Sequence, residues 1–211
     1  MNRCVMVKRQ KAFFNERAEK WMDIWYKSPK ARERNRFERE FERLFSLVSI
    51  RKNDVILDVG CGSGVLAPYI LQRLGPKGRL HEVDYADKMI EVNRRLHPDP
   101  HVKFHVADVN ALPMTKKSCD GIFCFSCFPH FQNKAKALRS MTSVLKTGGW
   151  LLLAHFDSLE ALNHHHASSG KVVMHDRMPD EAAMRSLFTN AGLTIVHHVN
   201  EHGFYAVLAK R

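Results

Sequence analysis

The chain has 211 residues, 45% hydrophobic and 26% charged, the make-up of an ordinary globular protein with room for one full core. Its formal net charge of +11 calls for an anionic partner, whether nucleic acid, an acidic membrane surface or an anionic small molecule, or for a reason why none is needed. No apolar run approaches the ~20 residues of a membrane span, "MNRCVMVKRQ" leads into no apolar signal core, and five cysteines make no secreted disulfide framework, so a cytoplasmic protein with reduced thiols is expected.

From Phe13 to Ile50 the pattern is helical, broken at "KSPK" by Pro29, which fits no helix interior. Phe14, Ala18, Trp21 and Trp25 share one face of the first helix; Phe37, Phe41, Leu44, Phe45 and Val48 share one face of the second. The basic residues of "KSPKARERNRFERE" alternate with glutamates, which suits a solvated helix face with i,i+4 pairs better than a nucleic-acid surface. After "RKND" short β-like runs alternate with helical ones. The strands are "VILDVG", "RLHEVD", "VKFHVAD", "CDGIFCFS" and "GWLLLAHF"; the helices are Val65–Leu74, Asp87–His97 and Asn133–Leu145, with a short "NALPMT" crossover between the third and fourth strands. Such alternation predicts right-handed βαβ units and a parallel sheet covered on both faces. A helix over Asp180–Ala191 precedes "LTIVHHVNEH" and "GFYAVLAKR", which read as an antiparallel pair turning at Gly203. The fold class is therefore α/β, a doubly wound, seven-stranded, mostly parallel sheet. Residues 1–50 form an N-terminal helical cap and residues 51–211 the ligand-binding domain, in one compact unit.

In such sheets ligands bind beyond the carboxyl ends of the strands, where the strand order reverses. "DVGCGSG" places Gly60, Gly62 and Gly64 at every second position after the first strand, and Val65 stands where a dinucleotide fingerprint needs a small residue. The phosphate-loop pattern is absent. Asp84, at the end of the second strand, can accept both hydroxyls of a ribose. Asp108, at the end of the third, can accept from an adenine amino group, or simply cap a helix. With Asp58 just before the loop, these carboxylates repel a triphosphate. They suit a ligand with ribose, adenine, an amino-acid tail and a positive sulfonium.

"DVGCGSG", "EVDYADKMI", "VADVNALP", "CDGIFCFSCFPHF" and "VLKTGGWLLLAHF" stand in the order and spacing of the class I S-adenosylmethionine-dependent methyltransferases, which the chain resembles from about Asp54 to Phe156 and again in the final β-pair. "FFNERAEKW" is similar to the opening of small microbial methyltransferases near the ubiquinone/menaquinone group. The resemblance implies S-adenosylmethionine as cofactor. Asp58, Gly60, Cys61, Gly62 and Gly64 would lie at its methionine end, Asp84 and Tyr85 at the ribose, and Asp108 and Val109 at the adenine, with Met89 and Phe125 completing the site.

The acceptor side is less marked. Ser126-Cys127-Phe128-Pro129 replaces the Asn/Asp-Pro-Pro-aromatic motif with which similar enzymes grip a flipped base, so no specific nucleic acid is expected. Phe128, Phe131 and the N-terminal tryptophans read either as an apolar substrate chamber or as core. His155 closes the fifth strand, and His166 shares a helical face with Asn163. Both are expected to line the acceptor pocket as bases or as joint metal ligands, with His130 a further candidate and His164 and His165 solvated. Cys124 and Cys127 form a lone Cys-x-x-Cys without a second pair, and no carboxylate ends the fourth strand to hold magnesium, so no metal site is assigned. The expected function is methyl transfer to a small molecule, anionic or apolar. The rivals are an RNA-modifying methyltransferase and a non-catalytic cofactor- or metal-binding protein.

Overall fold

The structure is a computed structural model describing residues 3–25, 31–168 and 172–211. Helix α1 (Arg3–Arg17) runs through a 3-10 turn at Ala18–Lys20 into a short α2 (Trp21–Trp25), and α3 (Ala31–Ser46) follows. Strands and helices then alternate: β1 (Val55–Val59), α4 (Ala67–Leu71), β2 (Arg79–Asp84), α5 (Asp87–Leu96), β3 (Val102–Val106), β4 (Cys119–Phe125), α6 (Lys134–Val144) and β5 (Leu145–His155). The chain ends with α7 (Leu159–Ser168), α8 (Glu181–Asn190), β6 (Thr194–Glu201) and β7 (Phe204–Lys210). All seven strands join one sheet in the order β3-β2-β1-β4-β5-β7-β6. The first five run parallel; β7 is antiparallel to both β5 and β6. Strand order reverses between β1 and β4, and there the expected ligand crevice opens.

Side chains alternate across each strand, so neighbouring residues serve opposite layers. Leu57 and Val59 of β1 face the cluster that holds Leu138 and Met141 of α6 and Met184 and Phe188 of α8. Ile56 faces the other cluster, which gathers Leu66 and Ile70 with Phe41, Leu44 and Phe45 of α3. Thus α3 is a layer of the sandwich, not part of a lid. Of the N-terminal helices, α1 is the one that reaches over the strand ends. Its Phe14, with Ala18, packs on Ala86, Met89 and Val92 at α5. Ion pairs from Lys11 to Asp87 (2.7 Å) and from Arg95 to Glu19 (2.6 Å) line the same seam, but both are exposed and add little beside the apolar contact.

Helix α1 begins ten residues before the expected Phe13 start. Its inward face carries the polar Gln10, buried at 3% exposure, where an apolar stripe would have announced a helix. Residues 27–30, the "KSPK" break, and the Trp25 side chain lie outside the described residues. The histidine run is helical, within α7, and Asn163 and His166 do share its inner side while His164 and His165 are exposed. Among the described residues no helix is long and apolar enough to cross a membrane.

Phe41→Ala tests whether α3 is integral to the fold. Phe41 is 3% exposed and stacks on Tyr69 with ring centroids 4.7 Å apart. The variant should lose ~3–5 kcal/mol in urea unfolding while keeping a single transition. A loss below ~1 kcal/mol would separate α3 from the core.

Candidate active site

The glycine loop leaves β1 in a conformation that side chains resist. Gly60, Gly62 and Gly64 all have positive φ, at 67°, 54° and 87°. A Cβ on Gly60 would come within 2.5 Å of Cys127 Cβ, and one on Gly64 within 2.2 Å of Asn93 Oδ1. The loop is thereby wedged between the turn after β4 and helix α5. Its backbone is tied to β2: the Gly60 and Cys61 amides donate to the Val83 carbonyl at 2.8 and 3.2 Å, and the Gly62 amide donates to Asp84 Oδ2 at 3.0 Å. Asp84 Oδ1 accepts from the Ala86 amide at 2.8 Å.

A cavity open to solvent lies over this loop. Its floor is formed by Asp58, Val59, Gly60, Cys61 and Gly62, its middle by Val83, Asp84, Tyr85 and Met89, and its far end by Ala107, Asp108, Val109 and Asn110. Phe125, Ser126, Cys127, His130, Phe131 and Gln132 complete one wall, and Val7, Gln10, Phe14 and Trp21 from the N-terminal helices roof it. Of the eleven expected cofactor residues, ten line this cavity. Gly64 does not; its bare Cα instead lets the loop close on Asn93 of α5. Phe131 and Trp21 line the chamber, whereas Phe128 is fully buried core.

Four carboxylates crowd the loop, and each is handled differently. Asp58 is 2% exposed and its Oδ2 has no hydrogen-bond partner; burial, then Glu82, Cys124 and Asp84, push its pKa up. Burial raises Asp84 to about 6, against the backbone amides that favour its charge. Glu82, fully buried behind the loop, accepts from Asn93 Nδ2 at 3.2 Å and is raised to about 7, chiefly by burial. Asp108 caps a 3-10 turn (Val109–Ala111), its Oδ1 accepting from both nitrogens of Asn110, which leaves Oδ2 for a ligand. Ser126, a non-glycine residue at φ 53°, marks a strained turn at the end of β4, as functional loops tend to show.

The histidines depart from expectation. His130 lines the cavity; His155 and His166 do not. His166 packs behind His130 at 5.1 Å between ring centroids, and His155 is 3% exposed beside both. The reason is topological: β5 lies one strand beyond the β1/β4 crevice, so the turn after β4 takes the position that His155 was expected to fill. Burial pushes His155 down to about 3 and His166 to about 4, so both are neutral near pH 7. Among the described residues no group of three or more His, Cys, Asp or Glu side chains has the geometry of a metal site. Cys124 and Cys127 stand Sγ to Sγ at 3.4 Å as free, buried thiols. Two polar residues that the sequence did not single out complete the site. Asp176, 4% exposed, pairs with His130 Nδ1 at 2.7 Å, and Gln10 donates to the same Asp176 Oδ2 at 2.7 Å while accepting from the Tyr85 hydroxyl at 3.1 Å.

The stability profile should show the Glu82 proton. Its folded pKa lies above that of a free carboxyl, so the folded state holds a proton between pH ~4.5 and 7, and its contribution falls as pH rises through that window. Relative to wild type, Glu82→Gln is expected to be more stable at pH 8 than at pH 5 in urea titrations. An equal difference at both values would assign that proton elsewhere.

Comparison with known proteins agrees with this geometry. Residues 57–153 match the methyltransferase domain family. The ubiquinone/menaquinone biosynthesis C-methyltransferase UbiE of Proteus mirabilis is 29% identical over 187 residues, covering 76% of this chain and 74% of that protein. The biotin biosynthesis bifunctional protein BioHC of Teredinibacter turnerae is 28% identical over 107 residues, 47% of this chain but 19% of that longer protein. A methyltransferase solved in complex with the Trm112 activator of Haloferax volcanii shares the fold, with a TM-score of 0.74 at 17% identity over 93% of this chain and 96% of that one. Residues 57–153 therefore form a methyltransferase domain of the class I S-adenosylmethionine-dependent kind, similar to the ubiquinone/menaquinone methyltransferases.

Proposed function

We propose that this enzyme transfers a methyl group from S-adenosylmethionine to a small-molecule acceptor in the cytoplasm. Residues 51–211 form the transferase domain in this reading, and α1 and α2 before them supply the roof through Val7, Gln10, Phe14 and Trp21. The observation that carries the cofactor assignment is the unpartnered, buried Oδ2 of Asp58, in a cavity whose other carboxylates sit at the strand ends. The residues fit the cofactor. Asp58 would accept from its α-amino group and the glycine loop would admit the amino-acid tail. Asp84 would hold the ribose with the carboxylate capacity that the Gly62, Tyr85 and Ala86 amides leave, and Asp108 and Val109 would flank the adenine. When bound, the cofactor supplies an activated methyl group on a sulfonium. The chain's own task is to align an acceptor against it, exclude water and take up a proton where the acceptor carries one.

A small acceptor is favoured over RNA by the cavity wall. Among the described residues its lining holds no lysine or arginine, so the +11 charge of the chain does not converge on the site. The relatives are named for the biosynthesis of ubiquinone/menaquinone and of biotin, themselves small molecules, which supports the same reading.

Calorimetry with S-adenosylhomocysteine tests the assignment. The wild type should bind it and ignore nicotinamide dinucleotides, and Asp84→Ala should weaken binding by ~1.5–3 kcal/mol, the worth of charge-assisted hydrogen bonds. Unchanged affinity in that variant would remove Asp84 from the ribose.

A further inference from the structure

Asp176 and His130 come from distant parts of the chain and meet at the cavity wall. The Asp176 carboxylate, 4% exposed, engages His130 Nδ1 at 2.7 Å. Gln10 Nε2 donates to the same oxygen at 2.7 Å, and Gln10 is itself fixed by the Tyr85 hydroxyl. Phe14 and His166 pack edge-on against the imidazole, each with ring centroids 5.1 Å away, and hold its plane. A carboxylate on Nδ1 sets the tautomer with the proton on that nitrogen and the lone pair on Nε2, the nitrogen left to serve the cavity. The neighbouring His155 and His166 are buried neutral groups that carry no competing charge. The rest of the acceptor side is aromatic or uncharged: Phe14, Trp21, Phe131, Ser126 and Gln132.

Resting on the cofactor reading above, we propose that His130, oriented by Asp176 and Gln10, is the general base for an uncharged, ring-bearing acceptor whose nucleophile is an O–H or ring N–H. The acceptor's proton passes to His130 Nε2. The electron pair it leaves behind forms the new bond to the methyl carbon as the carbon–sulfur bond breaks, its pair staying on sulfur as a neutral thioether. Asp176 compensates the charge that His130 gains, and the proton leaves to solvent when the product does. An acceptor that is already an anion would need no base and would meet the carboxylates of the loop with no lysine or arginine in the described lining to offset them. His130 is thus a catalytic residue, and Asp176 and Gln10 are positioning residues.

Two measurements test this on the full chain. In the first, imidazole nitrogen NMR of the S-adenosylhomocysteine-loaded wild type should show His130 protonated at Nδ1 and bare at Nε2. Asp176→Asn should shift the proton toward Nε2. In the second, labelled S-adenosylmethionine is offered with a naphthol, benzotriazole, a naphthoate and a naphthylmethylamine. Transfer should favour the naphthol or benzotriazole. His130→Asn should slow it by ~10²–10⁴-fold, the range for a lost general base, with S-adenosylhomocysteine affinity unchanged. Asp176→Asn should lower kcat and leave KM nearly constant. Preferred transfer to the naphthoate or the amine, transfer to none of the four with cofactor bound, full turnover in His130→Asn, or a wild-type proton on Nε2 would each overturn the proposal. Failure of the wild type to bind S-adenosylhomocysteine would instead overturn the cofactor reading, and this proposal with it.

Discussion

The carboxylate of Asp84 accepts from the Gly62 amide on one oxygen and from the Ala86 amide on the other, and in doing so pins the loop after β1 to the end of β2. The rest of the site follows from that tie. It holds the glycines in positive-φ conformations that bring backbone close to the turn after β4, and it starts α5 in the position where α1 can pack on it. Asp84 is also desolvated enough to be raised to about 6, so the group that organises the loop titrates not far below neutrality and gains from any ligand that donates to it. Glu82 and Asn93 support it from behind, where Asn93 reaches both the Glu82 carboxylate and the Cys61 thiol.

Charge divides the cavity into two chemical halves. Asp58, Asp84 and Asp108 mark the strand ends, and aromatic side chains from α1, α2 and the turn after β4 mark the opposite wall. That division suits one partner with amino, ribose and adenine donors and another that is apolar with a single polar point. Among the described residues no lysine or arginine lines this cavity, which separates the net charge from the question of what is bound. A protein's overall charge speaks to solubility and encounter, and its chemistry is set by a few desolvated groups.

Much of this was legible in the sequence because βαβ alternation is local. "VILDVG", "RLHEVD" and "CDGIFCFS" each announce a strand, and the carboxylates at strand ends followed once the strands were placed. Asp58, Asp84 and Asp108 do line one cavity. What was not legible depends on contacts far apart in the chain. Gln10 and Asp176 are separated by 166 residues, and neither sits in a periodic pattern that marks it. The imidazoles show the same limit from the other side. His155 was correctly put at a strand end, but whether that end borders the crevice depends on strand order, and the turn carrying His130 occupies that place. Gly64 looked like a ligand residue because it belongs to the glycine run; its space is taken by Asn93.

Class I methyltransferases share the frame seen here, and identities near 28% leave the acceptor to be settled by the residues on the wall of this particular cavity. In the proposed reading the three strand-end carboxylates hold one cofactor in a fixed direction. A crystal structure with S-adenosylhomocysteine tests it most directly. The amino nitrogen is expected at ~2.7–3.2 Å from Asp58 Oδ2, with the ribose hydroxyls on Asp84 and the adenine beside Asp108. A ligand bound in the reverse direction, or one that leaves Asp58 Oδ2 without a partner, would contradict it.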